Sequence, residues 1–412
     1  MVVRSKRRRV CRLMSMMIFL GTLVTYLLSS TENHSSFLNL SRHLQREKNK
    51  ENLYGHTFDL QTAKSKEPRK NIVIVAHGRS GSTITGDMFN HHASVFYLHE
   101  PLQTVQRISK HQNLSYGTLM ADVLTNIFRC NFSKAVVEDI KSFYRESNHP
   151  RASYALGSPP LCPYDITDPR WDPKLCYPMT SEFLGSVCSK KYNLTVAKVL
   201  MDRITESSIK NILAACSPAD VDCQIIFLIR DPRAVIMSAK SVNFFPDPAS
   251  DKDRNNLRRF SYAQCSKTEE NLMFVKNLPL YWRKRIMIHR YEDFASDPPK
   301  AMSRLFEFAG LSVPEHLKMW LIERTKPQDD GKAMKACEGY HPAFCTVDNS
   351  KEAINRWRWK VAFDDIDIVE HYCKHVMMLM GYTLVDGSFE LMANISIPLF
   401  SEHFEVKEWL LR

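Results

Sequence analysis

The stretch Asn71-Ile72-Val73-Ile74-Val75-Ala76-His77 runs directly into Gly78-Arg79-Ser80-Gly81-Ser82-Thr83. Residues 72–76 form an unbroken β-branched and apolar run, the pattern of a strand buried on both faces of a parallel sheet. Gly78 and Gly81 let the chain turn sharply and bring its backbone close to a ligand. From Thr83 to Phe89 the sequence reads as the start of a helix, so free N–H groups and the positive helix end converge on the loop. Ser80, Ser82 and Thr83 add hydroxyl donors, and Arg79 adds a planar cation able to grip two oxygens. These parts suit a phosphate. The alternative is a tight strand–helix turn with no ligand. G-x-x-x-x-G-K-[ST] is absent, and so is G-x-G-x-x-G, which disfavours a triphosphatase, a nucleotide kinase or a dinucleotide enzyme.

A second loop of the same kind lies far downstream. Cys223-Gln224-Ile225-Ile226-Phe227-Leu228-Ile229 is another strand-like run, and it leads into Arg230-Asp231-Pro232-Arg233, with Ser238 further along the following helix. Pro232 suits the first helical turn, where its missing N–H costs nothing, and Asp231 suits the N-cap. Arg230 falls at the carboxyl end of its strand, where ligands bind in open α/β sheets. Taken alone, this loop has a structural alternative, an Arg–Asp pair closing a turn. Two loops, each with arginine and serine, point to one ligand with anionic groups at both ends.

In order and spacing, these residues resemble the sulfotransferases that use 3′-phosphoadenosine 5′-phosphosulfate (PAPS). The closer resemblance is to the Golgi galactose, N-acetylgalactosamine and N-acetylglucosamine 6-O-sulfotransferases. Gly78-Arg79-Ser80-Gly81-Ser82-Thr83-Ile84 is similar to that family's 5′-phosphosulfate loop, and Arg230 through Asp231, Pro232 and Arg233 to Ser238 to its 3′-phosphate motif. Val95 to Leu102 resembles its F-Y-L-F-E-P-L segment, Arg290-Tyr291-Glu292-Asp293 its R-Y-E-D, and Asn349-Ser350 with Trp357-Arg358 its N-S…W-R element. Two positions depart from the pattern. His99 stands where the family has phenylalanine, and Met201 stands where it has an arginine three places after Lys198, with Arg203 nearby. The resemblance implies PAPS as co-substrate with no metal, and a glycan or proteoglycan hydroxyl as acceptor, at O-6 of Gal, GalNAc or GlcNAc. A catalytically inactive glycan-binding or PAPS-binding protein that kept the fold is the alternative.

Sulfuryl transfer needs a deprotonated hydroxyl in line with sulfur and stabilisation of charge on the transferring oxygens, so positioning and electrostatics do most of the work. Arg79, Ser82, Thr83 and the loop amides are expected on the 5′-phosphosulfate, and Arg230 with Ser238 on the 3′-phosphate. Glu100, at the end of the apolar run Val95–Leu98, is the expected general base, with His99 its rival and an ion pair to Arg79 or Lys198 its structural alternative. Strand alternation would send His99 and Glu100 to opposite faces, leaving only one aimed at the donor. Trp357 and Arg358 are expected over the nucleotide or, equally, in the core. His371 and His375 lie one helical turn apart, but Tyr372 replaces the glutamate of H-E-x-x-H, so they read as a helix flank.

The head carries Arg4, Lys6, Arg7, Arg8, Arg9 and Arg12, then an apolar stretch from Leu13 to Leu28. This order predicts a cytosolic tail (1–12), a transmembrane signal-anchor (13–28), a polar luminal stem (29–70) and a catalytic domain (71–412). A cleaved signal peptide is the rival. The expected address is the Golgi membrane, single-pass type II. N-glycosylation sequons at Asn33, Asn39, Asn113, Asn131, Asn193 and Asn394 agree with secretory passage. So does the even number of cysteines after the anchor, which suits disulfides whose pairing cannot be deduced.

The formal charge is +11, but the head and stem hold most of it, and the catalytic portion is nearly balanced. Nucleic acid is therefore not an expected partner, and affinity for an acidic glycan must come from a local cleft. Lys252, Arg254, Arg258 and Arg259 are candidates, or simply a solvated helix face. A homo-oligomer is left open. The fold class expected is α/β, a P-loop-like three-layer fold with a central parallel sheet. Further strands are expected at 194–200 and 286–289, helices near 117–128, 204–215, 298–310 and 363–380, and an irregular proline-rich insert over 159–178.

Overall fold

The computed structural model describes residues 69–112, 114–146, 152–218, 220–242, 254–327, 349–402 and 404–406. The expected tail, the anchor, nearly all of the stem, three sequons (Asn33, Asn39, Asn113) and Lys252 lie outside the described residues. Among the described residues no helix is long and apolar enough to cross a membrane.

The elements that build the site are, in chain order, β1 (Lys70–Ala76), α1 (Ser82–Asn90), β2 (Val95–His99), α2 (Pro101–Gln112), β3 (Leu194–Leu200), β4 (Asp222–Ile229), α3 (Pro232–Ser241), α4 (Asn255–Asn277), β5 (Ile286–Arg290), α5 (Tyr291–Ser296), α6 (Pro298–Ala309), α7 (Ser350–Asn355) and α8 (Phe363–Leu379). The five strands form one parallel sheet in the order β2-β3-β1-β4-β5. β1 is central, with Ile74 opposite Lys198 on β3 and Ile226 on β4. Parallel pairing requires crossovers, and the intervening helices cover the sheet. Ile72, Ile74 and Ala76 share a core with Met88 and Phe89 of α1 and Met302, Leu305 and Phe306 of α6. Val73 and Val75, which the period of two sends to the other face, are buried just as completely.

The expected strand at 194–200 is observed with those bounds, and the apolar runs at 72–76, 95–98 and 225–229 are each strands extended by a residue or more. The helix expected over 204–215 is shorter, Ile209–Ala215, because Glu206 and Ser207 adopt left-handed backbone (φ 58° and 50°) that breaks the helical path. Arg258 and Arg259 lie exposed at the start of α4, while Arg254 pairs with Asp364 and Asp365, so this run is a solvated face.

Four disulfides join Cys130–Cys188, Cys162–Cys176, Cys216–Cys223 and Cys265–Cys373. Cys162–Cys176 closes the proline-rich insert. The widest loop, Cys265–Cys373, fastens α4 to α8 across 108 residues. Constraining a loop of that length in the unfolded chain is worth roughly 4–5 kcal/mol on the entropic account. His371 and His375 are exposed on the flank of α8, where His375 meets Glu269 at 2.6 Å.

Candidate active site

The carboxyl ends of four neighbouring strands build the site. β1 delivers the loop 77–81 and β4 delivers Arg230. On the other side, β3 delivers Lys198 and the turn to Arg203, and β2 delivers Glu100. Neighbouring strands are about 4.8 Å apart, so the end of β2 lies about 10 Å from the end of β1.

On the β1–β4 side the two sequence loops touch. Arg79 donates from Nε to Ser238 Oγ at 3.1 Å, and Arg230 donates from Nη1 to the Arg79 carbonyl at 3.0 Å. The two guanidinium groups thus crowd one place. Burial, and then the nearby Arg230 charge, hold the Arg79 guanidinium below its ordinary range. Such crowding is tolerable where an anion belongs. The first intrahelical bond of α1 runs from the Thr85 N–H to the Gly81 carbonyl at 3.2 Å, so the amides of Ser82, Thr83 and Ile84 have no intrahelical acceptor, the arrangement that suits an anion at a helix start. Gly81 is obligatory there: its φ is +87°, and a Cβ would lie 2.4 Å from the Tyr291 ring. Ser80 and Ser82 are buried at the loop and Thr83 is partly exposed, while the Ile84 side chain sits in the core, leaving only its amide for a ligand.

Tyr291 and Glu292 explain how Arg230 is held. The Arg230 guanidinium lies 4.2 Å from the Tyr291 ring centroid and donates from Nη2 to the Ala353 carbonyl of α7 at 2.9 Å. Glu292 accepts from the Asp231 N–H at 3.1 Å and from Tyr382 Oη at 2.7 Å. Burial, and then the Asp231 charge, raise the Glu292 carboxyl pKa. Arg290 ties this segment to the carbonyls of Met380 and Ser401. The R-Y-E-D residues are therefore the backing of the second loop, a role the sequence match located but did not reveal.

Several expected donor contacts are corrected. Arg233 is fully buried and bonds Asp231, Glu370 and the Thr383 carbonyl, with the Trp357 ring centroid 4.5 Å from its guanidinium. Arg358 spends all five N–H donors on Asn355 Oδ1 and the carbonyls of Met392, Ile397, Leu391 and Asn394. Trp357, only 6% exposed, is core. Asp231 caps α3 by accepting from the Arg233 N–H at 2.9 Å, and Pro232 fills the first turn. Arg233, Arg358 and Asp231 shape the site from behind, because their polar groups are consumed internally, and Trp357 and Pro232 contribute packing.

On the β2–β3 side Glu100 is buried and heavily partnered. It forms ion pairs with Lys198 and Arg203, accepts from Gln103 Nε2 at 2.6 Å, and lies 3.6 Å from His99 Nε2. The expectation that strand alternation separates His99 from Glu100 fails. Glu100 lies just beyond β2 in left-handed backbone, φ 53°, and this folds its carboxylate back beside the imidazole. Its own N–H remains bound to the Lys198 carbonyl at 2.8 Å, and its carbonyl accepts from the Gln103 N–H at 2.9 Å. Burial pulls the Lys198 ammonium down to about 7, with Asp202 and then Asp87 acting in the opposite sense. Arg79 and Glu100 are both non-glycine residues at positive φ, a conformation that persists only where the surroundings impose it. The Lys198–Glu100 ion pair is the structural alternative the sequence offered, here formed with Lys198 and not with Arg79; Arg203 and Gln103 had no assigned role, and the Glu100–Gln103 spacing at a helix start was the available signal.

A family model described as "Sulfotransferase domain" matches residues 69–381. The chain belongs to the sulfotransferase family. Carbohydrate sulfotransferase 3 of Homo sapiens is 26% identical over 359 residues, covering 81% of this chain and 71% of that protein. Carbohydrate sulfotransferase 1 of Danio rerio is 26% identical over 362 residues, covering 81% and 82%. Carbohydrate sulfotransferase 4 of Mus musculus is 24% identical over 363 residues, covering 84% and 90%. Among solved structures, the sulfotransferase domain from the curacin biosynthetic pathway covers 76% of this chain and 98% of its own, at 16% identity and a TM-score of 0.40. This sulfotransferase brings its two sequence loops into contact and holds a buried carboxylate two strands away.

Proposed function

We propose that the protein transfers the sulfuryl group of PAPS to a sugar hydroxyl of a glycan or proteoglycan, at O-6 of Gal, GalNAc or GlcNAc. The observation that carries this reading is the contact between Arg79 of the first loop and Ser238 and Arg230 of the second. One adenosine donor with anionic groups at both ends spans the pair. Arg79, Ser82, Thr83 and the amides of the α1 start hold the 5′-phosphosulfate, and Arg230 with Ser238 holds the 3′-phosphate. The acceptor hydroxyl approaches the carboxyl ends of the strands and gives its proton to Glu100. Its oxygen bonds to sulfur as the sulfur–oxygen bond to the 5′-phosphate breaks. Adenosine 3′,5′-bisphosphate (PAP) leaves with that bridging oxygen, its charge met by Arg79 and the helix amides.

The test incubates the purified full chain with labelled PAPS and a glycan panel. Label on a hexose 6-hydroxyl supports the reading. PAP binding without turnover on any glycan transfers support to the inactive binding protein. We further infer a Golgi, single-pass type II placement from the basic head, the apolar stretch 13–28 and the disulfides, with the sequon asparagines Asn131, Asn193 and Asn394 all exposed. Resistance of the chain to alkaline carbonate extraction, with a mobility shift on glycosidase treatment, checks that placement.

A further inference from the structure

We propose that Arg203 reads an anionic group on the acceptor, a uronate carboxylate or a sulfate ester next to the sugar being modified. The proposal rests on the sulfuryl-transfer reading above and names the acceptor class for that site. Arg203 ends the short turn Met201–Arg203 that follows β3, and Tyr116 Oη donates to its carbonyl, so the backbone is anchored. Its guanidinium meets Glu100 Oε2 through Nη1. Nε and Nη2 make no other hydrogen bond or ion pair among the described residues. A guanidinium engaged at Nη1 still presents the Nε–Nη2 edge, two parallel donors matched to a carboxylate or sulfate.

Position supports the same assignment. The Lys198 and Glu100 side chains are 3% and 7% exposed, whereas Arg203 and His99 are each 19% exposed and form the outward margin of the cluster. The neighbouring fork, Arg107, is occupied by Asp139 at 2.5 and 2.7 Å. Met201, at the place where the resembling family carries its arginine, is fully buried, and among the described residues the guanidinium that reaches Glu100 is that of Arg203. One side chain thereby fixes the base and the acceptor in a single frame, with Nη1 on Glu100 and the free edge on the sugar's neighbour.

The test measures kcat and KM of the full chain with PAPS on three acceptors: neutral poly-N-acetyllactosamine, unsulfated chondroitin, and sulfated poly-N-acetyllactosamine. The wild type should favour an anionic acceptor at least tenfold in kcat/KM, and the arm that is favoured distinguishes carboxylate from sulfate. Arg203→Gln lowers turnover on every acceptor because Glu100 loses a partner. The preference ratio should nevertheless collapse tenfold or more, mainly through KM, and Arg203→Lys should restore part of it. Calorimetry of the favoured oligosaccharide on PAP-loaded protein should show the same loss of affinity. An unchanged ratio in Arg203→Gln, or a wild type indifferent to acceptor charge, overturns the inference while sulfuryl transfer stands. A wild type that sulfates no glycan overturns the underlying reading instead, and calorimetry then decides Arg203 separately: equal glycan affinity in wild type and variant removes it.

Discussion

The two halves of the site treat charge in opposite ways. On the β1–β4 side, Arg79 and Arg230 stand together over a helix start whose first amides lack intrahelical acceptors. On the β2–β3 side, the carboxylate of Glu100 is already surrounded by Lys198, Arg203 and Gln103. The first half sets two guanidinium groups close together at a helix start. The second pairs one carboxylate with two cations and holds it in a fixed orientation. A donor with two anionic ends needs the first arrangement, and a general base that must not collapse onto the donor-side arginines needs the second. β3 keeps the two apart, since it lies between β2 and β1.

The sharpest way to break this division is Glu100→Gln. The amide keeps the shape and the bond to Gln103 but cannot take a proton. Turnover should fall by about 10²–10⁴-fold, while PAP affinity by calorimetry stays within twofold. Unchanged turnover would remove Glu100 from its role and leave it a buried partner for Lys198. Next in size is Arg79→Gln on the other half, which removes a cation from the transferring group. A loss of about 10²–10³-fold in kcat is expected, with weakened PAP binding as well. Equal PAP affinity in the two proteins would show that the donor half does not hold the nucleotide through Arg79.

Much of the donor half was legible in the sequence. Strand runs of β-branched residues ending in glycine, serine and arginine specify both position and chemistry, and the register of β1 with β4 then brings the loops together. The acceptor half was less legible. Glu100 could be placed at a strand end, but its left-handed backbone, and hence its approach to His99, depends on how Pro101 and Gln103 start the next helix. Arg203 looked like a displaced motif residue until the turn after β3 was seen. Trp357 and Arg358 illustrate the opposite error: arginine and tryptophan in a matched motif suggested a nucleotide, yet Arg358 bonds carbonyls contributed by residues 391–397 and Trp357 packs against the Arg233 guanidinium. Linear spacing does not disclose those contacts.

A third effect concerns the frame common to both halves. His77, His91 and His289 are each pushed down to about 4, in every case first by burial. The unfolded chain therefore binds more protons than the folded one between roughly pH 6.5 and 4. The stabilisation is fully present above pH 6.5 and is lost as pH falls through that window. Each shift of about 2.5 units corresponds to about 3 kcal/mol at most. His77 is the informative position, because it ends β1 and its Nε2 lies 3.0 Å from Thr268 Oγ1 on α4. Denaturant midpoints for His77→Gln should fall less steeply from pH 6.5 to 4.5 than those of the wild type. Parallel curves would show that His77 does not resist protonation.

The smallest expected effect tests whether the backing residues are truly separate from the ligand. Trp357 packs against the Arg233 guanidinium, which in turn holds Asp231 at the start of α3. Trp357→Phe removes ring area and leaves part of this stack unsupported, a loss of roughly 1–2 kcal/mol in unfolding free energy. PAP affinity at a temperature where the variant remains folded should be unaltered, because no donor group of the two loops has been touched. The outcome discriminates between two accounts of the same motif. If Trp357 covered the adenine, affinity would fall with little change in stability; if it braces Arg233, stability falls and affinity holds. The geometry of the second loop makes the bracing account the stronger one, since Arg230 is already positioned by Tyr291 and by the Ala353 carbonyl without help from the indole.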